Sequence, residues 1–216
     1  MLFLPEATIT FFIISTLLLG VSLPLQQRGT FSLAMTLVMT FFVICELSIS
    51  PVIIDSWQGW QVDMLSQCLK LFASLILFFI TLINFNYIKS AKIKEFEYNI
   101  LVQSILLGVF VVCSANNFLI LFIGLELSAL PMYAIIAIFQ KRLGLEASIK
   151  YFILGALASG FILFGISFCY GATGSIQFLV DDQSKLSILG MLFVTCGLLF
   201  KVGCAPFHNW VPDVYE

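Results

Sequence analysis

The sequence predicts an all-α fold, a polytopic transmembrane bundle of about seven helices with the seventh broken near Lys201–Pro206. Three observations carry that expectation. The 216-residue chain is 61% hydrophobic and only 10% charged, with a mean hydropathy of +1.08, too apolar for a water-soluble domain of this size. Its apolar runs reach the roughly 20 residues that cross a hydrocarbon layer about 30 Å thick, and they recur along the whole chain. The runs are longer than β-barrel strands and do not alternate in polarity as such strands do. A net charge of -2 and the lack of a basic patch set nucleic-acid binding aside.

The spans are expected at about 7–25, 31–50, 64–88, 98–114, 117–139, 146–170 and 186–210. The first has no basic leader and no small-residue cleavage pattern, so it reads as a retained span rather than a signal peptide. The shortest break, Ser114 to Asn117, predicts a tight helical hairpin. In this arrangement Arg28, Lys89, Lys92, Lys94, Lys141 and Arg142 all fall on one side of the membrane, and only Lys185 falls on the other. The positive-inside rule then puts the N-terminus outside and the last residues inside. Six cysteines, Cys45, Cys68, Cys113, Cys169, Cys196 and Cys204, stand singly without ligand or disulfide spacing and read as small packing residues.

Charges inside the spans are the informative residues, because a charge at the bilayer centre costs about 2.5–3.5 kcal/mol or more. Lys70 lies a turn or two into its span and can snorkel along its stem, and Glu46 lies near a helix end. Glu126 cannot escape in that way. It lies about 14 Å into its span at 1.5 Å per residue, close to the midplane. Lys150 follows Glu146 by four residues, which allows an ion pair on one helix face. The small residues Gly155, Ala156, Ser159 and Gly160 that follow allow close helix approach and would bring Lys150 toward a neighbour.

Lys201 sits fifteen residues into the last span, beside Gly203 and Pro206, which weaken and open the helix there. His208 follows by seven residues and would share a face with Lys201 in a roughly continuous helix; its usual titration range suits a proton carrier. A midplane carboxylate, two embedded lysines and a histidine, with no metal-ligand spacing, nucleophile-base arrangement or phosphate loop, suit proton movement more than bond chemistry. A lysine beside a carboxylate keeps its proton; separated from it in an apolar medium, it tends to lose it.

The stretches LFIGLELSALPMYAIIAI, EASIKYFILGALASGFILFGISFCYGATGS and GLLFKVGCAPFHNWVPDVYE resemble subunit 2 of respiratory complex I, the proton-pumping NADH:ubiquinone oxidoreductase, through about residues 97–216. The first three spans, 1–96, resemble its variable leading helices in number and length only. The resemblance implies an antiporter-like membrane-arm subunit that has no metal or redox centre of its own. NADH, FMN, iron-sulfur clusters and ubiquinone would lie on other subunits, and other membrane-arm subunits and lipids would be the partners. It also implies proton-transfer roles for Glu126, Lys150, Lys201 and His208, with Lys201 central.

The family normally continues into a second, inverted repeat. The expectation is therefore a split subunit whose C-terminal half is a separate chain, a truncation being the duller alternative. Abundant phenylalanine, 23 residues, hints at an organellar genome and a mitochondrial inner membrane, with a bacterial plasma membrane as the alternative. Two other functions stay open: a subunit of a multi-component cation/proton antiporter or membrane-bound hydrogenase, and a non-pumping spacer of the membrane arm.

Overall fold

A computed structural model describes residues 3–49, 55–57, 59–90, 94–138, 142–178 and 184–215. Among these, seven helices are long and apolar enough to cross a membrane. They are α1 (Leu4–Ser22), α2 (Leu25–Ile49), α3 (Met64–Ser90), α4 (Glu95–Cys113), α5 (Phe118–Ile138), α6 (Arg142–Thr173) and α7 (Lys185–Val202). A short α8 (Trp210–Tyr215) follows. The polytopic helical class holds, and the span centres agree with those read from hydropathy.

Three features sharpen or depart from expectation. The seventh span is broken as expected, and the break comes early, because α7 stops at Val202. Gly203 adopts a left-handed φ of 69°, and its N–H and that of Cys204 donate back to the Phe200 and Leu199 carbonyls at 3.1 and 3.0 Å. That pattern of a left-handed glycine closing two orphan carbonyls ends a helix on its own. The break therefore begins at Gly203, ahead of Pro206, which lies in the turn that follows.

The second difference is a two-stranded antiparallel hairpin, β1 (Asp55–Trp57) and β2 (Trp60–Val62), in the break between α2 and α3. Backbone bonds tie it to the α4–α5 connection: Asn116 N–H donates to the Gly59 carbonyl at 2.8 Å and Gln61 N–H to that of Ser114 at 2.9 Å. Phe118 N–H in turn donates to the Ile176 carbonyl at 3.1 Å, after α6. Three connections on one end of the bundle thus satisfy one another's backbone groups, as buried polar backbone must. The Asn117 side chain accepts from Ile120 N–H at 2.7 Å and caps α5, which is how so short a break reverses the chain.

Third, the small residues after Lys150 do not act as a single packing stripe. Gly155 faces the Tyr133 hydroxyl, whereas a Cβ at Gly160 would meet nothing within 4 Å. The tight contact between α6 and α7 is instead made by Gly165 and Gly190. A Cβ at Gly165 would lie 2.6 Å from the Gly190 carbonyl oxygen, and one at Gly190 would lie 2.8 Å from that of Gly165.

Two apolar clusters hold the helices. Ile9, Met39, Val43, Leu47, Leu106 and Phe110 join α1, α2 and α4, and Phe118, Ile162, Ile166 and Val194 join α5, α6 and α7. Outward residues such as Leu18, Leu25 and Ile83 are exposed, as lipid-facing side chains should be. Arg28 turns back over the end of α1, donating from Nε to the Leu23 carbonyl and from Nη2 to that of Val21, both at 2.9 Å. Lys92 and Lys141 of the expected basic side lie outside the described residues.

The packing predicts a contrast between two glycines on neighbouring helices. Gly190→Val should overpack the α6–α7 contact and cost about 1–3 kcal/mol or more, seen as a lower thermal unfolding midpoint of the detergent-solubilised protein. Gly160→Ala should leave that midpoint unchanged or raise it, since space is free and alanine favours helix.

Candidate proton-transfer site

Glu126 lies eight residues after Phe118, the first residue of α5, about 12 Å along the helix and within its apolar middle. Five residues on, Pro131 has no N–H to give the Leu127 carbonyl, so the backbone acceptor of the residue next to Glu126 is released. Lys201 is the penultimate residue of α7, where the unpaired carbonyls of a helix end favour a cation.

The two side chains meet. Lys201 Nζ donates to Glu126 Oε1 at 2.6 Å, with side-chain exposures of 12% and 27%. The same carboxylate oxygen accepts from Ser159 Oγ on α6. Ser159 Oγ also stands 2.9 Å from the Gly155 carbonyl oxygen. A hydroxyl has one hydrogen, so it serves only one of these acceptors at a time. While Glu126 is ionised, the Ser159 proton belongs on the carboxylate. If Glu126 takes a proton, it can donate to Ser159, and the hydroxyl turns to Gly155.

An aromatic chain fixes the break around this pair. Tyr133 on α5 packs edge-on against Tyr151 on α6, with ring centroids 4.7 Å apart. Tyr151 stacks on Trp210 of α8 at 5.2 Å, and Trp210 faces Phe200 of α7 at 6.5 Å. The residue that follows the break is thus locked to the residue that precedes Lys201.

The other two expected site residues are placed differently. Lys150 pairs with Glu146 on its own helix at 3.1 Å, both half-exposed, which is the ion pair that the four-residue spacing allowed. His208 lies in the turn after the break and is exposed; its carbonyl accepts from Val211 N–H at 3.0 Å. Because the helix ends at Val202, the seven-residue interval no longer puts His208 on the face of Lys201. Among the described residues its side chain makes no ion pair.

Lys70 departs from expectation, while Glu46 lies near the end of α2 as expected. Lys70 does not snorkel: it is 1% exposed and binds Glu6 Oε1 at 2.5 Å. Glu46 Oε2 lies 3.3 Å from the Thr8 hydroxyl. Sequence reasoning missed Ser159 as a polar group, because it stood among small packing residues, and missed Glu6, because the first span was expected to start after it.

The structure is thus a polytopic membrane bundle with an acid-lysine pair at the end of a broken helix. Residues 115–216 match the family described as NADH:quinone oxidoreductase/Mrp antiporter, transmembrane. The chain is 34% identical to NADH-quinone oxidoreductase subunit N of Coxiella burnetii over 227 residues, covering 98% of this chain and 47% of that one. Respiratory complex I from Thermus thermophilus contains a chain with TM-score 0.85 and 32% identity, covering 99% of this chain and 47% of that one. A chain of an archaeal membrane-bound sulfane sulfur reductase shares the fold, with TM-score 0.82 and 23% identity over 100% of this chain and 47% of that chain. Residues 115–216 belong to this NADH:quinone oxidoreductase/Mrp antiporter family, as the motif resemblance implied. The chain spans about half the length of the curated relatives it matches.

The geometry predicts strong coupling between Glu126 and Lys201. Lys201→Met alone should destabilise the protein by about 3–5 kcal/mol by leaving a buried carboxylate unpaired. Adding Glu126→Gln should recover much of that loss. A double-mutant cycle on thermal stability measures the coupling, and additive effects would contradict the pairing.

Proposed function

We propose that this chain acts as a proton-translocating membrane-arm subunit of NADH:quinone oxidoreductase. The observation that carries the reading is the Glu126–Lys201 pair, with Ser159 on the same oxygen, at the end of a helix that stops inside the bundle. Redox chemistry with NADH, FMN, iron-sulfur clusters and ubiquinone is assigned to other subunits, which are also its partners in the membrane arm.

The pair works as a charge-controlled proton holder. Beside the ionised Glu126, the Lys201 ammonium is stabilised and keeps its proton. If the segment after Gly203 or a neighbouring helix draws the amine away, the ammonium loses its counter-charge in an apolar medium and becomes an acid. Its proton then has two nearby destinations, the carboxylate it left and the polar backbone opened between Gly203 and Trp210. Ser159 smooths the first route, since its single hydrogen can follow the charge on Glu126.

Lys150 and His208 are proposed as flanking relay positions, Lys150 toward the α5–α6 connection and His208 beyond the break. Their separate placement gives each an independent role, so the four residues form a route rather than one cluster. The division into leading helices, 1–96, and the start of a translocating repeat, 97–216, belongs to the same proposal; the family match beginning at residue 115 supports its second part.

Sidedness and setting are proposed on similar grounds. Seven spans with Arg28 and Lys94 at one end favour an N-terminus on the outer side of the membrane. In a mitochondrial inner membrane that side is the intermembrane space. The relatives named above are bacterial or archaeal, and there it is the outside of the plasma membrane. A companion chain carrying the other half of the subunit is tested by intact mass in the native membrane.

The functional test is the proton-to-electron ratio of the assembled complex. Lys201→Met and Glu126→Gln should lower it with assembly retained, while Ser159→Ala should slow proton transfer by about tenfold without abolishing it. An unchanged ratio in a fully assembled Lys201→Met complex would establish the spacer reading instead. Co-purification with antiporter subunits alone, free of flavin and iron-sulfur partners, would favour the cation/proton antiporter alternative.

A further inference from the structure

We propose that Glu6, Glu46 and Lys70 form a second proton-binding site, in the leading helices, that holds one exchangeable proton on Glu46 in addition to the Lys70 ammonium. The site rests on geometry independent of the Glu126–Lys201 pair. Because α2 runs antiparallel to α1 and α3, the start of α1, the end of α2 and the start of α3 lie at one end of the bundle, and each contributes one ionisable side chain.

Lys70 and Glu6 are taken from water, and Glu46 is half-buried with its Oε1 enclosed. Lys70 is 1% and Glu6 6% exposed, and Lys70 Nζ also lies over the rings of Trp60 and Phe110, at 6.0 and 5.7 Å from their centroids. The ammonium is thus held by one carboxylate and two π-faces. Glu46 is joined to the same end of α1 through Thr8, two residues from Glu6. With all three ionised, this apolar pocket would carry a net negative charge, which costs several kcal/mol when unpaired. One proton on a carboxyl removes it.

The hydrogen bonds say which carboxyl. Glu6 is committed to Lys70 as an acceptor at 2.5 Å. Thr8 Oγ1 lies 2.8 Å from the Pro5 carbonyl oxygen and 3.3 Å from Glu46 Oε2. The Thr8 hydroxyl is the donor to Glu46 Oε2, which marks that oxygen as an acceptor. Among the described residues Glu46 makes no ion pair, so it is the carboxyl left to hold the proton. Oε2 of Glu6 and Oε1 of Glu46 are buried with no hydrogen-bond partner, an arrangement that penalises further negative charge.

The remaining neighbours do not supply the missing charge. From α4, Cys113 offers a thiol within reach of Lys70 and Glu6. From β2 comes Trp60, which does not titrate. Asp63, at the foot of α3, is occupied by Ser66, whose N–H donates to it at 2.7 Å.

Infrared difference spectroscopy of the assembled, lipid-reconstituted complex at neutral pH tests the site through the carboxylic-acid C=O stretch, each variant against wild type. Glu46→Gln should lose one acid band. Glu6→Gln should lose it too, because Lys70 then has only Glu46 to pair with and that carboxyl ionises. Lys70→Met should gain a band, both acids now being protonated. Thr8→Val alters no charge and should shift the band upward as the acid C=O loses its hydrogen-bond donor, which keeps the test available if a charge variant fails to assemble. Spectra in which Glu46→Gln loses no band, or in which Thr8→Val leaves the band in place, would overturn the proposal.

Discussion

A charge in a hydrocarbon layer needs a partner, and in the α5–α7 half of the bundle the Glu126–Lys201 bond between two helices meets that demand. The rest of the α5–α7 half follows from it. For an amine on α7 to reach a carboxylate on α5 while a hydroxyl from α6 touches the same oxygen, α6 and α7 must run close enough for backbone contact. Gly165 and Gly190 allow that approach, and a side chain at either would separate the helices. The pair therefore depends on an absence of atoms some distance away.

The broken helix is the second condition. In an unbroken α7, the carbonyls beyond Lys201 would be consumed by the next turn and the amine would face a sealed helix. Ending the helix at Gly203 leaves the cation beside a negative helix terminus and a polar, turning backbone. That environment stabilises the ammonium enough for it to exist at this depth without making Glu126 its sole support. A pair meant to part and rejoin needs such a second source of stabilisation, or separation would be prohibitively costly.

The bundle was legible in the sequence because hydropathy acts residue by residue, and the seven spans need no knowledge of neighbours. Glu126 and Lys201 were legible for the same reason: each is anomalous in its own segment. What the sequence concealed depends on pairing across segments. Glu6 fell just ahead of the first expected span and Lys70 read as a snorkelling lysine, yet alternating helix direction sets both at the same end, and that juxtaposition was available from span count alone. Ser159 was read for its size when its hydroxyl mattered. His208 was projected along a helix that a left-handed glycine had already ended, a local conformational choice that proline drew attention away from.

The two charged sites differ in their arithmetic, and that difference has a physical meaning. At Glu126 one acid meets one amine, so the pair is neutral when both are ionised, and moving a proton between them keeps it neutral. A lone hydroxyl is enough to follow the change. At Lys70 two acids meet one amine, so neutrality needs a proton that belongs to neither member of the ion pair. The first arrangement suits a proton that changes partner within a site. The second suits a proton that enters or leaves it, since removing Glu6 or Lys70 from the balance changes how many protons the remaining groups retain. A hydroxyl with one hydrogen and two acceptors, Ser159 in one site and Thr8 in the other, stands beside a carboxyl group in each case.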